Sequence, residues 1–192
     1  MNYLDGKTHI TKLLNKRFDV LLLDPPWNYY GSATKPAAAG KHYTLIPDDE
    51  MEKLPIAKIV KNPGVVFLWA TCPRLDFALE CIKAWNLYFR GVAFVWIKTK
   101  QNGEPIKAQG VRPSVVKPLT ELVLVASSKR LERTLPLASE SVCQTVFAPR
   151  GDHSTKPLEV QERIEQLYPD TTKLEMFARK YRKGWSCWGD AL

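Results

Sequence analysis

The chain has 192 residues, 45% hydrophobic and 25% charged, with a formal net charge of +8, which fits one folded domain (residues 1–192) and excludes a disordered tail. No apolar stretch approaches the ~18 residues a bilayer helix needs, and Met1 to Lys16 lacks the apolar segment of a secretory signal, so a cytoplasmic protein is expected. The cysteines Cys72, Cys81, Cys143 and Cys187 form no CxxC and are not flanked at zinc-ligand spacing by His9, His42 or His153, so neither a disulfide framework nor a metal site is expected.

In chain order, the first apolar run is Phe18 to Leu23, which reads as a buried strand ending at Asp24. Asn28 to Ile46 fits neither strand nor helix and carries Gly31, an Ala37-Ala38-Ala39-Gly40 run, Lys35 and Lys41, as loops that act as lids or binding surfaces do. Asp48 to Val60 follows Pro47 and reads as a helix, Val65 to Ala70 as a strand, and Leu75 to Trp85 after Pro73 as a second helix. Further strands are expected at Val92 to Ile97, Leu122 to Ala126, Val142 to Phe147 and Lys173 to Phe177. In Pro157 to Tyr168, a helix with Pro157 in its first turn, Val160, Ile164, Leu167 and Tyr168 form one stripe. Near-continuous apolar strands alternating with helices predict an α/β fold. It is a doubly wound, mostly parallel sheet with helices on both faces, whose ligand crevice lies beyond the carboxyl ends of its strands.

The charge is unevenly placed. Lys98 to Arg133 holds eight basic residues against three acidic ones and carries +5 of the +8, and the sequence pI is about 9.3. Such a balance favours an anionic partner, nucleic acid foremost, with a solvated loop as the plain alternative.

The most informative motif is Asp24-Pro25-Pro26-Trp27, at the carboxyl end of the first strand. At ordinary residue frequencies it would arise by chance about once in a few thousand chains of this length. Its chemistry suits an exocyclic amine, whose lone pair is delocalised into the ring and poorly nucleophilic. The Asp24 carboxylate accepts one amine hydrogen, and the rigid Pro25 carbonyl is available for the second, which favours a more pyramidal nitrogen. Trp27 is expected to offer a flat face for the base, a contact worth about 1–3 kcal/mol. The alternatives are a cap for Asp24 and, for Pro25, Pro26 and Trp27, a rigid turn packed on the core.

With this motif the sequence resembles the MT-A70 family of S-adenosylmethionine-dependent adenine N6-methyltransferases, from about Phe18 to Ala191. The matching stretches include His42-Tyr43 with Asp48-Asp49-Glu50-Met51, Phe67 to Thr71, Val95 to Thr99, Glu121 to Val125, His153-Ser154-Thr155-Lys156-Pro157, Lys173 to Arg179 and the Trp185 to Gly189 ending. The resemblance implies a Rossmann-like methyltransferase fold with a permuted motif order, the catalytic Asp-Pro-Pro-Trp preceding the cofactor-binding part. It implies that Lys156 neutralises the cofactor's carboxylate and that Asp24 also approaches its methionyl amine. Glu175 would accept from the ribose hydroxyls, with Phe177, Arg179 and Asp190 alongside. Asp190 is a departure, because the family usually ends Trp-Gly-Asn-Glu and this chain reads Trp188-Gly189-Asp190-Ala191. His153 reads as a loop residue that positions Lys156, and Trp185 and Trp188 as packing.

The substrate expected from the resemblance is an adenine base extruded from its stack or supplied unpaired. Tyr29, Tyr30, His42 and Tyr43 would stack on it or close over it, while Lys35, Lys41, Lys98, Lys100, Arg112 and Lys117 would hold phosphates. Compact members resembling this chain are microbial or phage-type DNA adenine methyltransferases, which favours DNA over RNA. The runner-up from another class is a catalytically silent nucleic-acid-binding subunit, and a third reading is methylation of a protein amide, as Asn-Pro-Pro-Tyr enzymes perform. Monomer and homodimer are both left open.

Overall fold

In a computed structural model of the chain, the described residues are 10–27, 46–107, 116–130, 135–151 and 155–189. Among the described residues, seven strands form one sheet in the order β5-β3-β4-β2-β1-β6-β7. In chain order they are β1 (Phe18–Leu23), β2 (Val60–Thr71), β3 (Tyr88–Thr99), β4 (Thr120–Ser127), β5 (Thr145–Pro149), β6 (Lys173–Met176) and β7 (Ser186–Trp188). Strand β4 runs antiparallel to both its neighbours, β2 and β3, and the other four pairings are parallel. The sheet is therefore mostly parallel, and the entry end of β4 lies at the same edge as the carboxyl ends of β1, β2 and β3.

Helices cover both faces, as near-continuous apolar strands require. Helices α1 (Asp48–Glu52), α2 (Ile56–Ile59) and α3 (Leu75–Ala84) put Met51, Ile56, Phe77, Cys81 and Ile82 against Leu21, Leu23, Val66, Leu68 and Leu124. On the opposite face α4 (Leu158–Leu167) buries Val160 and Ile164, four residues apart on one stripe, against Val20, Leu22, Phe67, Trp69 and Phe94. Alternation along each strand assigns its side chains to these two faces.

Several boundaries differ from expectation. The helix expected over Asp48 to Val60 breaks in two, because Pro55 has no N–H to continue the α1 ladder, and Val60 already begins β2. Pro157 stands just before α4 in an extended conformation, not inside its first turn. The strand expected at Val142 to Phe147 lies slightly later, at Thr145–Pro149, where Phe147 is exposed on the sheet's edge and a terminal proline is tolerated. Strand β7 was not expected, being three residues long with a half-exposed pattern. It docks through a close backbone approach at Gly189. A Cβ there would lie 2.2 Å from the Ala178 carbonyl oxygen, and Ala178 N–H donates to the Trp188 carbonyl at 2.9 Å. No helix among the described residues is long and apolar enough to cross a membrane.

Candidate active site

Strand β1 delivers Asp24 to the carboxyl edge of the sheet, where its N–H lies 3.4 Å from the Met176 carbonyl that ends β6. The following residues turn sharply, with Trp27 N–H donating to the Pro25 carbonyl at 2.9 Å. That carbonyl keeps its second lone pair. Trp27 then locks the corner from below. Its indole donates Nε1–H to the Trp69 carbonyl at 2.9 Å, its ring meets Phe77 edge-on at 6.0 Å, and only 5% of the residue is exposed. This corrects the expectation that Trp27 offers a face for base stacking: its ring belongs to the core under the corner. The apolar neighbours and the Trp69 carbonyl explain why an indole is used there.

Around Asp24 the sheet edge assembles a line of charges. Lys156, just ahead of α4, places Nζ 2.7 Å from Asp24 Oδ1 and 3.4 Å from Glu121 Oε2. Lys98, near the end of β3, places Nζ 2.6 Å from Glu121 Oε1. Arg179, after β6, reaches within 4.0 Å of Asp24 Oδ2. Three cations and two carboxylates thus alternate as Lys98, Glu121, Lys156, Asp24 and Arg179. The Asp24 side chain is 14% exposed and that of Lys156 18%, so the centre of the line is enclosed but reachable.

Burial penalises charge here, and the partners outweigh it. Burial pulls the Lys156 ammonium down, but the carboxylates of Asp24 and Glu121 hold its pKa above the ordinary lysine value. Burial likewise pushes Glu121 up, and Lys156 and Lys98 together bring it below the usual carboxylate range. The indoles beneath add to the fixing of the cations: Lys156 Nζ lies 5.4 Å from the Trp69 ring centroid and Lys98 Nζ 5.0 Å from that of Trp96. Lys98 was expected to hold phosphate. Its ammonium is instead turned into the site and committed to Glu121, because residues 96 and 98 share the face on which Glu121 stands.

On the other side of Asp24, Glu175 of β6 accepts from Gln161 Nε2 of α4 at 2.7 Å. Burial raises its pKa above the usual carboxylate value, with the nearby Asp24 charge adding to the rise and the Gln161 hydrogen bond opposing it. Phe177, directly after the end of β6, lies in the left-handed region at φ 64° and packs edge-on against Trp188 at 5.3 Å. A bulky residue held there marks a backbone constrained at a site. Lys100 is on the surface, bonded to Glu104 at 2.8 Å, and Lys117 is exposed. Tyr29, Tyr30, Lys35, Lys41, His42, Tyr43, Arg112, His153 and Asp190 lie outside the described residues.

The structure therefore brings Asp24, Lys156, Glu175, Phe177 and Arg179 to one edge and adds two residues not expected there. Glu121 was missed because residues following strands were given the weight, and Glu121 begins a strand that runs backwards to that edge. Gln161 was missed because a polar residue in a helix's first turn carries no signal of its own. Chemically, the arrangement presents a fixed carboxylate acceptor beside a carbonyl acceptor, with cations at both carboxylate oxygens and a half-buried carboxyl–amide pair alongside.

The profile of the MT-A70 family matches residues 18–191. The chain is similar to the type II methyltransferase M.MunI of Mycoplasma sp, 29% identical over 196 residues that cover 93% of this chain and 79% of that protein. It is also 30% identical over 181 residues to the N(6)-adenosine-methyltransferase subunit METTL3 of Danio rerio, covering 92% of this chain and 28% of that protein. A probable N(6)-adenosine-methyltransferase, MT-A70-like, of Oryza sativa subsp. japonica is 28% identical, with 92% of this chain and 23% of that protein covered. The chain thus spans most of the first relative and about a quarter of the other two.

Proposed function

The chain belongs to the MT-A70 family of methyltransferases, and from that premise we propose that it transfers a methyl group to the N6 amine of adenine in DNA, using S-adenosylmethionine, as a single methyltransferase domain over residues 1–192. The observation that carries this reading is the 2.7 Å contact between Asp24, at the end of β1, and Lys156, 132 residues later, at the sheet edge where α/β folds bind ligands.

The residues suit the cofactor by their chemistry. Lys156 and Arg179 supply cations for a carboxylate, Asp24 an acceptor for an ammonium, and Glu175 with Gln161 a hydrogen-bonding pair for a ribose diol. When bound, S-adenosylmethionine supplies a methyl carbon made electrophilic by its sulfonium. Asp24 and the Pro25 carbonyl take the two amine hydrogens and hold the N6 lone pair out of conjugation with the ring. Lys156 holds Asp24 in place through their 2.7 Å ion pair, and Glu121, with Lys98 on its other oxygen, keeps Lys156 in place. Once the amine nitrogen is alkylated, Asp24 is the nearest base for the proton it sheds. Positioning supplies most of the rate, up to roughly 7–11 kcal/mol at the extreme, so no strong general base is needed.

DNA is taken first because the relative M.MunI, a type II methyltransferase, is matched over 79% of its own length and 93% of this chain. RNA is the second reading, supported by the names of the two N(6)-adenosine-methyltransferase relatives. The test is incubation with isotopically labelled S-adenosylmethionine and, separately, single-stranded DNA, duplex DNA and RNA, followed by nucleoside mass analysis. Label in N6-methyldeoxyadenosine is the expected result. Label in N6-methyladenosine alone assigns RNA, and no label in any polymer overturns the reading.

A further inference from the structure

The centre of the charged edge contains a hydroxyl that the reading above does not use. Thr71 ends β2, the strand that lies between β1, which carries Asp24, and β4, which carries Glu121. It pairs directly with Glu121, and Glu121 in turn pairs directly with Trp96, so the three side chains stand in one row on one face. Two residues earlier on the same face is Trp69, whose ring lies under the Lys156 ammonium. Thr71 is only 9% exposed, and its Oγ1 is buried without a hydrogen-bond partner among the described residues. Both neighbouring carboxylates are engaged by lysines, Glu121 by Lys98 and Lys156 and Asp24 by Lys156. Buried hydroxyls are nearly always paired, and one without a partner calls for an explanation.

We propose that Thr71 is a substrate-contacting residue whose hydroxyl donates a hydrogen bond to a ring nitrogen flanking the base's exocyclic amine. The inference rests on the adenine reading. With the amine hydrogens directed to Asp24 and the Pro25 carbonyl, the neighbouring polar atoms of adenine are N1 and N7, both acceptors. A hydroxyl one strand away from Asp24 on the same face complements them and fixes the ring's rotation about the amine.

The test compares Thr71→Val, which keeps the shape, with Thr71→Ser, which keeps the hydroxyl. Substrates are the best oligonucleotide of the polymer screen carrying adenine, 1-deazaadenine or 7-deazaadenine at the target. Thr71→Val is expected to lose about tenfold in kcat/KM on adenine, with KM for S-adenosylmethionine unchanged and a melting temperature at or above that of the wild type. Thr71→Ser is expected to recover most of the loss. On one of the two deaza substrates, the one lacking the contacted nitrogen, valine is expected to cost nothing further. Wild-type kcat/KM for Thr71→Val, or the same loss on all three bases, overturns the proposal and leaves the adenine reading standing. If the wild-type chain methylates no adenine substrate, that reading fails and the Thr71 contact falls with it.

Discussion

Replacing Glu121 with glutamine removes the negative charge from between two lysines while keeping the side chain's shape. The residue is 8% exposed, with Oε1 2.6 Å from Lys98 and Oε2 3.4 Å from Lys156. The shorter contact is a charge-assisted hydrogen bond, worth about 1.5–3 kcal/mol. The longer one adds attraction that the desolvation of three enclosed charges largely offsets, and the amide retains one acceptor, so the expected loss is about 2 kcal/mol. For a domain of this size that corresponds to a fall in Tm of about 4–8 °C near pH 7.5. The pH dependence follows from Glu121 being held below the usual carboxylate range by Lys156 and Lys98 against the opposing effect of burial. A depressed folded-state pKa contributes stability that is complete above the unfolded value, about 4.3, and is lost as pH falls through the folded value. Thermal melts of wild type and Glu121→Gln from pH 7.5 down to pH 3 are therefore expected to show a gap that is full at neutral pH and narrows below about pH 4. Equal melting temperatures at pH 7.5, or a gap that stays constant to pH 3, would refute the account of Glu121 as the clasp between the lysines.

Trp27→Ala is expected to destabilise the fold by about 3–5 kcal/mol, as for a large ring removed from a core, because Trp27 is buried with its indole bonded to the Trp69 carbonyl; a chemical-denaturation curve matching the wild type would restore the stacking role. Gly189→Ala is expected to cost about 1–3 kcal/mol by overpacking, since its Cβ would meet the Ala178 carbonyl oxygen at 2.2 Å, and an unchanged Tm would contradict the close approach of β7. Binding to duplex DNA is expected to weaken with salt at a log-log slope of about −5 if six phosphates are neutralised, and Lys100→Ala to reduce that slope by about 1. Fluorescence anisotropy titrations between low and physiological salt measure both, and a slope near zero would remove phosphate contact from the account.

The part of the site legible in the sequence is the part that obeys the carboxyl-end rule. The six-residue apolar run Phe18 to Leu23 has the bounds of β1, which places Asp24 at the edge that matters. Glu121 lay outside that rule because a chain direction cannot be read from an apolar run, and only the sheet order reveals that β4 enters where its neighbours leave. Lys98 looked like one more cation in a basic segment, since cross-strand partners 23 residues apart leave no local trace. Trp27 was ambiguous for a related reason: an aromatic after a proline turn suits a core and a base equally, and what decides is the Trp69 carbonyl 42 residues away. Among the elements, Pro55 was the visible signal for the α1–α2 break, whereas β7 had no signal because its backbone pairing depends on the Gly189 contact.

The amine-holding role of Asp24 is tested most directly by single-turnover methyl transfer from labelled S-adenosylmethionine to an adenine-containing oligonucleotide, comparing wild type with Asp24→Asn. The account predicts label on N6 for the wild type and a loss of about 10²-fold or more in the rate of transfer for the variant. Undiminished transfer by Asp24→Asn, or label from the wild type on any atom other than N6, would contradict it.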